Sequence, residues 1–426
     1  TFIENLILQD FRMNFNLAST GFMLLATSLV MFMTPGLAFF YGGLVGRKHV
    51  LTIMFQNFVS LGLTTILWFA FGYSMCFSGT YGNGDFFGVI GNLDHMFLNG
   101  ISLIDPSPVN PEVPILVFVA YQMMFAIITP ALITGAFANR VRFSAYIIFL
   151  IVWQILVYFP FVHMIWGGGI LSSWGIKDFA GGIVVHTSAG FAALASVIFI
   201  GKRKVADKGM HSIPLVALGT GILWFGWYGF NAGSEFGVDP VTTLAFINTD
   251  IAASFAGPTW LLLDWIFTRK PKLLGFLTGS VAGLACITPA AGYVSPQSAV
   301  IIGTLASVAC YLAVRFKNKA GLDDALDVFG IHGVSGILRV ILLGVLGTKA
   351  MTFPGKDPFS LASGLIDGNT AFFYKQAGAG IFAAVYAFLF TIVMLWVINK
   401  ITPVRVSQQE ESDGLDEGQH GESAYL

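Results

Sequence analysis

Two stretches carry residues that can do chemistry. Asp178-Phe-Ala-Gly-Gly-Ile-Val-Val-His186-Thr-Ser-Ala-Gly190 sets an aspartate and a histidine eight residues apart in an apolar, glycine-rich run. Asp324-Ala-Leu-Asp327-Val-Phe-Gly-Ile-His332-Gly-Val-Ser-Gly336 repeats that spacing, and in both stretches a glycine follows the histidine by four residues. Eight residues of helix rise about 12 Å, so an aspartate at a membrane surface carries its histidine toward the middle of a hydrocarbon core about 30 Å thick. Charge at that depth is costly to desolvate, and an ionisable residue there points to function. A lone histidine reads as a satisfied core residue and a lone aspartate as a helix cap. Two such pairs at matched depth read as one path. Each imidazole can donate or accept, so His186 and His332 can share a hydrogen bond, present C–H and N–H edges to a small neutral base, and relay a proton. Asp178, Asp324 and Asp327 are given structural and electrostatic roles, Asp178 first of all as an acceptor for backbone N–H groups.

The elements that position these residues are membrane spans. Of 426 residues, 55% are hydrophobic and 11% charged, against roughly a quarter charged in a soluble domain. A net charge of −1 gives no reason to expect nucleic acid. Cys76, Cys286 and Cys310 lie too far apart for a CxxC metal or redox motif and read as small apolar fillers. No metal or cofactor is expected, and no nucleophile-base-orienter set suggests an enzyme. Thr1 to Arg12 has no basic start leading into an apolar run, so no signal peptide is visible. Apolar runs long enough to span fall at 18–45, 50–77, 113–138, 143–166, 179–201, 212–232, 241–268, 273–292, 297–315, 325–347 and 371–399. The expected fold is therefore an all-α polytopic membrane protein with eleven transmembrane helices.

Charge placement orients it. Arg47, Lys48, Arg140, Arg142, Lys202, Arg203, Lys204, Lys208, Arg269, Lys270, Lys272, Arg315, Lys317, Lys319, Lys400 and Arg405 fall on one set of loops. The other set holds Arg12, Lys177, Lys349, Lys356 and Lys375. The positive-inside rule puts the N-terminus outside and the C-terminus in the cytoplasm. The fifth span then runs inward from Asp178 and the tenth outward from Asp324, the mark of an inverted repeat of spans 1–5 and 6–10 with span 11 left over as a brace. Residues 1–17 form an outer segment, 18–401 the transmembrane domain and 402–426 a cytoplasmic region whose acidic composition alone reads as disordered. The acidic outer loop from Gly79 to Glu112 reads as solvated.

Further motifs join the two histidine segments: Thr34-Pro-Gly-Leu-Ala-Phe-Phe-Tyr-Gly-Gly43, Ala138-Asn-Arg-Val-Arg-Phe143, Trp166-Gly-Gly-Gly169, Gly226-Trp-Tyr-Gly-Phe-Asn-Ala-Gly-Ser234 and Gly414-Leu-Asp-Glu-Gly-Gln-His-Gly-Glu-Ser-Ala-Tyr425. In this order they resemble the ammonium transporter (Amt/Mep/Rh) family, its bacterial Amt branch most closely. The resemblance implies that Phe125, Trp166 and Ser234 bind substrate at an outer recruitment site, that Phe125 and Phe230 gate the path below it, and that His186 and His332 line the pore. Chemistry agrees with such a division. Moving bare ammonium through hydrocarbon is costly where neutral ammonia is not, and aromatic faces with a hydroxyl acceptor can hold the cation before it is stripped of a proton. The resemblance also implies a homotrimer in the cell (inner) membrane, a tail docked on the cytoplasmic face, and a PII signal protein as partner there.

The residues alone leave other readings open: passive gas conduction, an ammonium sensor acting through a cytoplasmic partner, or a membrane cytochrome with haem between the histidines. Trp227 and Tyr228 read as packing, and His163 as a polar interface residue. Arg339 in span 10 and Asp250 in span 7 depart from the family pattern at similar depth, and are expected to form a buried ion pair.

Overall fold

In the computed structural model the described residues are 15–205, 209–353 and 361–425. The outer segment up to residue 14, with Arg12, and the loop residues Lys208 and Lys356 lie outside them. Among the described residues ten helices are long and apolar enough to cross a membrane, and an eleventh is shorter. In chain order they are α1 (Leu17–Leu44), α2 (Arg47–Phe77), α3 (Ile115–Phe137), α4 (143–165), α5 (Gly182–Ile200), α6 (Ile213–Glu235), α7 (Pro240–Thr268), α8 (Leu273–Ile287), α9 (Pro296–Ala320), α10 (Phe329–Leu346) and α11 (Thr370–Ile401). Polar side chains mark several starts. Asn16, Ser212, Ser295 and Asn369 each accept a backbone N–H of the first turn, and Asp239 closes a capping box with Thr242 at α7.

α8 is the exception to the expected lengths. It stops at Ile287 rather than reaching residue 292, because Pro289 offers no N–H to continue the ladder. The chain from Thr288 to Gly292 stays buried as turns, and its carbonyls find other donors. Phe179 N–H donates to Pro289 at 3.2 Å, and the Asn248 amide donates to Ala291 and Val294 at 2.9 and 2.8 Å. Irregular backbone is tolerable at such depth only when protein supplies these partners.

α5 and α10 run in opposite directions. The Asp178 end of α5 lies on the face with Trp166, whose indole N–H donates to the Asp178 carbonyl, and the Asp324 end of α10 lies with Lys317 and Arg140 on the basic face. Both begin with a π turn that contains the histidine, Gly182–Thr187 and Phe329–Val334, an irregularity common at functional sites. They cross without side chains between them: a Cβ on Gly190 would stand 2.2 Å from the Gly333 nitrogen. α1 packs along α6, the first helices of the two halves, and α11 lies across α5 and α10.

Residues 402–425, expected from composition to be disordered, are folded against the basic face. Arg405 bridges Val141, and a short α12 (Gln408–Asp413) starts in a capping box of Ser407 and Glu410. The buried Asp416 carboxylate accepts from Leu51 N, Thr52 N and the Thr52 hydroxyl at 3.0, 2.8 and 2.8 Å. Glu411 accepts from Lys204 N and Val205 N at 2.6 and 3.0 Å.

Candidate functional site

On the face opposite the basic loops the helices open into a basin of about 750 Å³, lined by Gln122, Phe125, Trp166, Asp178, Ser234 and Glu235 among others. Trp166 is set by the end of α4. The chain after it must pass against α2, and a Cβ on Gly167 would lie 2.0 Å from the Cys76 carbonyl oxygen. The indole Nε1 donates to the Asp178 carbonyl at 2.9 Å, which ties the ring to the start of α5. Phe125 stands edge-on to it, ring centroids 5.8 Å apart at 90°. The Ser234 hydroxyl donates to the Phe230 carbonyl at 2.9 Å and lies 3.2 Å from the Tyr121 hydroxyl, which still leaves it a lone pair to accept with. Two aromatic rings and one acceptor oxygen thus border the same basin, a set suited to a small cation bearing N–H donors.

Phe125 forms the floor of the basin and packs against Phe230 beneath it, both 1% exposed, with centroids 4.3 Å apart. Beyond it lies a narrow cavity of about 20 Å³, bordered by Phe230, Trp227, His186, His332, Ile331 and Val328 among others. That volume holds about one water-sized molecule. The two imidazole planes are 6° from parallel with centroids 5.2 Å apart. Neither nitrogen of His186 has a hydrogen-bond partner, nor does Nδ1 of His332. The expected hydrogen bond between the imidazoles is therefore not formed here; the rings instead meet the cavity with unpaired nitrogens.

Asp178 caps the start of α5. Oδ1 accepts from Gly181 N and Gly182 N at 2.9 and 2.6 Å, and Oδ2 from Ile183 N and Val184 N at 2.7 and 3.2 Å. Burial pushes its carboxyl up, and these four N–H groups pull it down. Asp324 does the same for α10 through Val328 N and Phe329 N at 3.1 and 2.8 Å. Burial raises its carboxyl to about 6, with Lys317 lowering it and Asp327 raising it. Asp327, at φ 61°, pairs with the buried Lys317.

Four further expectations are corrected. Asp250 and Arg339 do not pair: counting residues along a helix fixes depth but not azimuth, and Asp250 turns toward Tyr228 and Trp224, which donate to it at 2.6 and 3.3 Å. His163 is not at an interface but fully buried, with Nδ1 at 2.9 Å from the Cys76 carbonyl and Nε2 at 3.0 Å from Asp85. The loop residue Asp85 is accordingly tied down rather than solvated. Trp227, expected only to pack, borders the cavity, its ring 5.6 Å from that of His186. Its spacing of three from Phe230 puts both on one helix face, a signal that could have found it.

The sequence pattern of the Ammonium Transporter Family matches residues 21–425. An ammonium transporter of Bacillus subtilis (strain 168) is 41% identical over 96% of this chain and 98% of its own. Among solved structures, Candida albicans Mep2 superposes with a TM-score of 0.84 at 33% identity, covering 93% of this chain and 88% of that one. A sensor Amt protein superposes with a TM-score of 0.84 at 27% identity, covering 97% and 100%.

Proposed function

This chain belongs to the ammonium transporter family, and from that premise we propose that it captures NH4+ in the basin, deprotonates it at the phenylalanine floor, and conducts NH3 through the histidine cavity. The observation that carries the reading is the succession of an open aromatic basin, a closed phenylalanine pair and a cavity for one small molecule that contains both imidazoles. In the basin the cation rests against Trp166 and Phe125, an attraction of about 0.5–2 kcal/mol, and gives one N–H to Ser234. Below the floor the path narrows to a cavity that holds about one small molecule away from basin water, where the charged form would have to shed its hydration, so the neutral base is the form that enters. The proton released either returns to basin water, making transport electrically silent, or passes along the unpaired imidazole nitrogens, making it electrogenic.

Current recordings on a solid-supported membrane with ammonium pulses separate these two outcomes. His186→Ala or His332→Ala should alter both the ammonium signal and the discrimination against potassium, because the cavity loses its constriction and its relay. Wild-type ammonium currents and intact potassium exclusion in both variants would refute the pore assignment. The proposal includes a homotrimer with one pore per subunit, the basin facing outward, residues 402–426 in the cytoplasm and a PII signal protein at the basic face. The likeness to a solved sensor Amt protein favours a second reading, in which ammonium occupancy is reported to a cytoplasmic partner. Ammonium binding without flux in proteoliposomes would select it.

A further inference from the structure

Arg339 on α10 is fully buried, seven residues beyond His332. Nε donates to the Ser335 carbonyl at 2.9 Å, Nη1 to the Ala285 carbonyl on α8, and Nη2 to the Ser335 hydroxyl and, at 3.4 Å, to the carbonyl of His332 itself. All four acceptors are neutral dipoles. None of the ion pairs among the described residues includes Arg339. Arg140, equally buried, differs: Asp323 stands 3.6 Å from its guanidinium. The other charges along the path are Asp178 at one end and the Asp324, Asp327 and Lys317 group at the other. Asp178 acts on Arg339 through space and the Asp324 and Asp327 group is shared with Lys317, but none of these carboxylates is hydrogen-bonded to Arg339 or paired with it.

Dipoles satisfy donors without cancelling a charge, and a guanidinium does not lose its proton in proteins. A net positive charge therefore stands one hydrogen bond from the His332 backbone. Resting on the pore reading above, we propose that Arg339 is a selectivity residue whose fixed charge raises the barrier to K+, NH4+ and other cations at the histidine cavity. Neutral NH3 has no net charge for that field to act on. A charge buried within several ångströms of a path with few counter-charges acts over a range at which water would screen it, and arginine serves as such a barrier in other membrane pores.

The test is flux and current from proteoliposomes of the full chain, with ammonium and potassium gradients measured separately. Arg339→Gln removes the charge and keeps an amide to donate to the freed carbonyls. Cys310→Asp leaves Arg339 in place: Cys310 on α9 faces Ser335, so a carboxylate there can neutralise the guanidinium. Both should lower the ammonium-over-potassium ratio by roughly tenfold or more, while Arg339→Lys, which keeps the charge, retains it. Wild-type discrimination in Arg339→Gln overturns the proposal and leaves Arg339 a brace. Should that variant fail to fold, unchanged discrimination in Cys310→Asp overturns it, as does loss of discrimination in a folded Arg339→Lys. Failure of the pore reading looks different: wild-type protein passes no ammonium, or ammonium flux survives both histidine substitutions unaltered.

Discussion

Trp166 is anchored by its indole N–H to the Asp178 carbonyl, so two terms contribute at this residue, one from the ring face and one from the hydrogen bond. Trp166→Leu removes both and keeps an apolar side chain. The ammonium concentration giving half-maximal flux should rise several-fold, up to about thirtyfold if the cation–π term is near 2 kcal/mol. Trp166→Phe, which keeps a ring, should fall between. Unchanged concentration dependence in the leucine variant would remove Trp166 from the recruitment site. At this scale the sequence was legible where residues sit in a motif with fixed spacing, as Asp178 and His186 do. It was not legible where a partner lies on another helix. Nothing in the run around Asp250 says that its carboxylate turns toward Tyr228 rather than α10, and nothing around His163 announces Asp85, since both contacts depend on how the helices are rotated against each other.

The crossing of α5 and α10 depends on the absence of a side chain. Gly190→Ala would force its Cβ to 2.2 Å from the Gly333 nitrogen, so the helices must separate or the chain must not fold; a core overpacking of this kind typically costs about 1–3 kcal/mol or more. Gly221→Ala on α6, where a Cβ meets nothing within 4 Å, is the control and should melt as wild type or slightly higher, given alanine's helix preference. Both are measured by thermal unfolding in detergent. The cap of α10 adds a pH term. Because burial raises the Asp324 carboxyl to about 6, the folded chain binds that proton more tightly than the unfolded chain does. The contribution is therefore fullest below about pH 4 and is lost as pH rises through about 6. Between about pH 5 and pH 7.5 the wild-type melting temperature should fall relative to that of Asp324→Asn, which lacks this component; parallel curves would contradict it. Span positions were readable because length and apolarity are local properties. The early end of α8 was readable only in part: Pro289 hints at it, but the donors that make the break tolerable, Phe179 and Asn248, come from elsewhere in the chain.

Across the whole molecule, the tail joins loops that the helices alone leave independent. Residues 405–425 touch the junction of α1 with α2 through Asp416, the loop between α3 and α4 through Arg405 and Gln419, and the loop between α5 and α6 through Glu411 and Tyr425. Composition misread this stretch because its acidic residues are not solvated; two of them, Glu411 and Asp416, are buried acceptors for backbone N–H groups hundreds of positions away. Asp416→Ala should leave three donors at Leu51 and Thr52 without their acceptor, a loss of about 1–3 kcal/mol if water does not replace it. Hydrogen exchange at the start of α2 should quicken while that of α5 and α10 stays unchanged; no difference at Leu51 and Thr52 would count against the contact's importance. The clasp also has a place in time. Synthesis proceeds from the N-terminus, so the amides of Leu51 and Thr52 are made long before Asp416 leaves the ribosome, and those of Lys204 and Val205 before Glu411. Every helical span described must emerge before the clasp can close, which makes its closure a structural record that all eleven helices have been delivered.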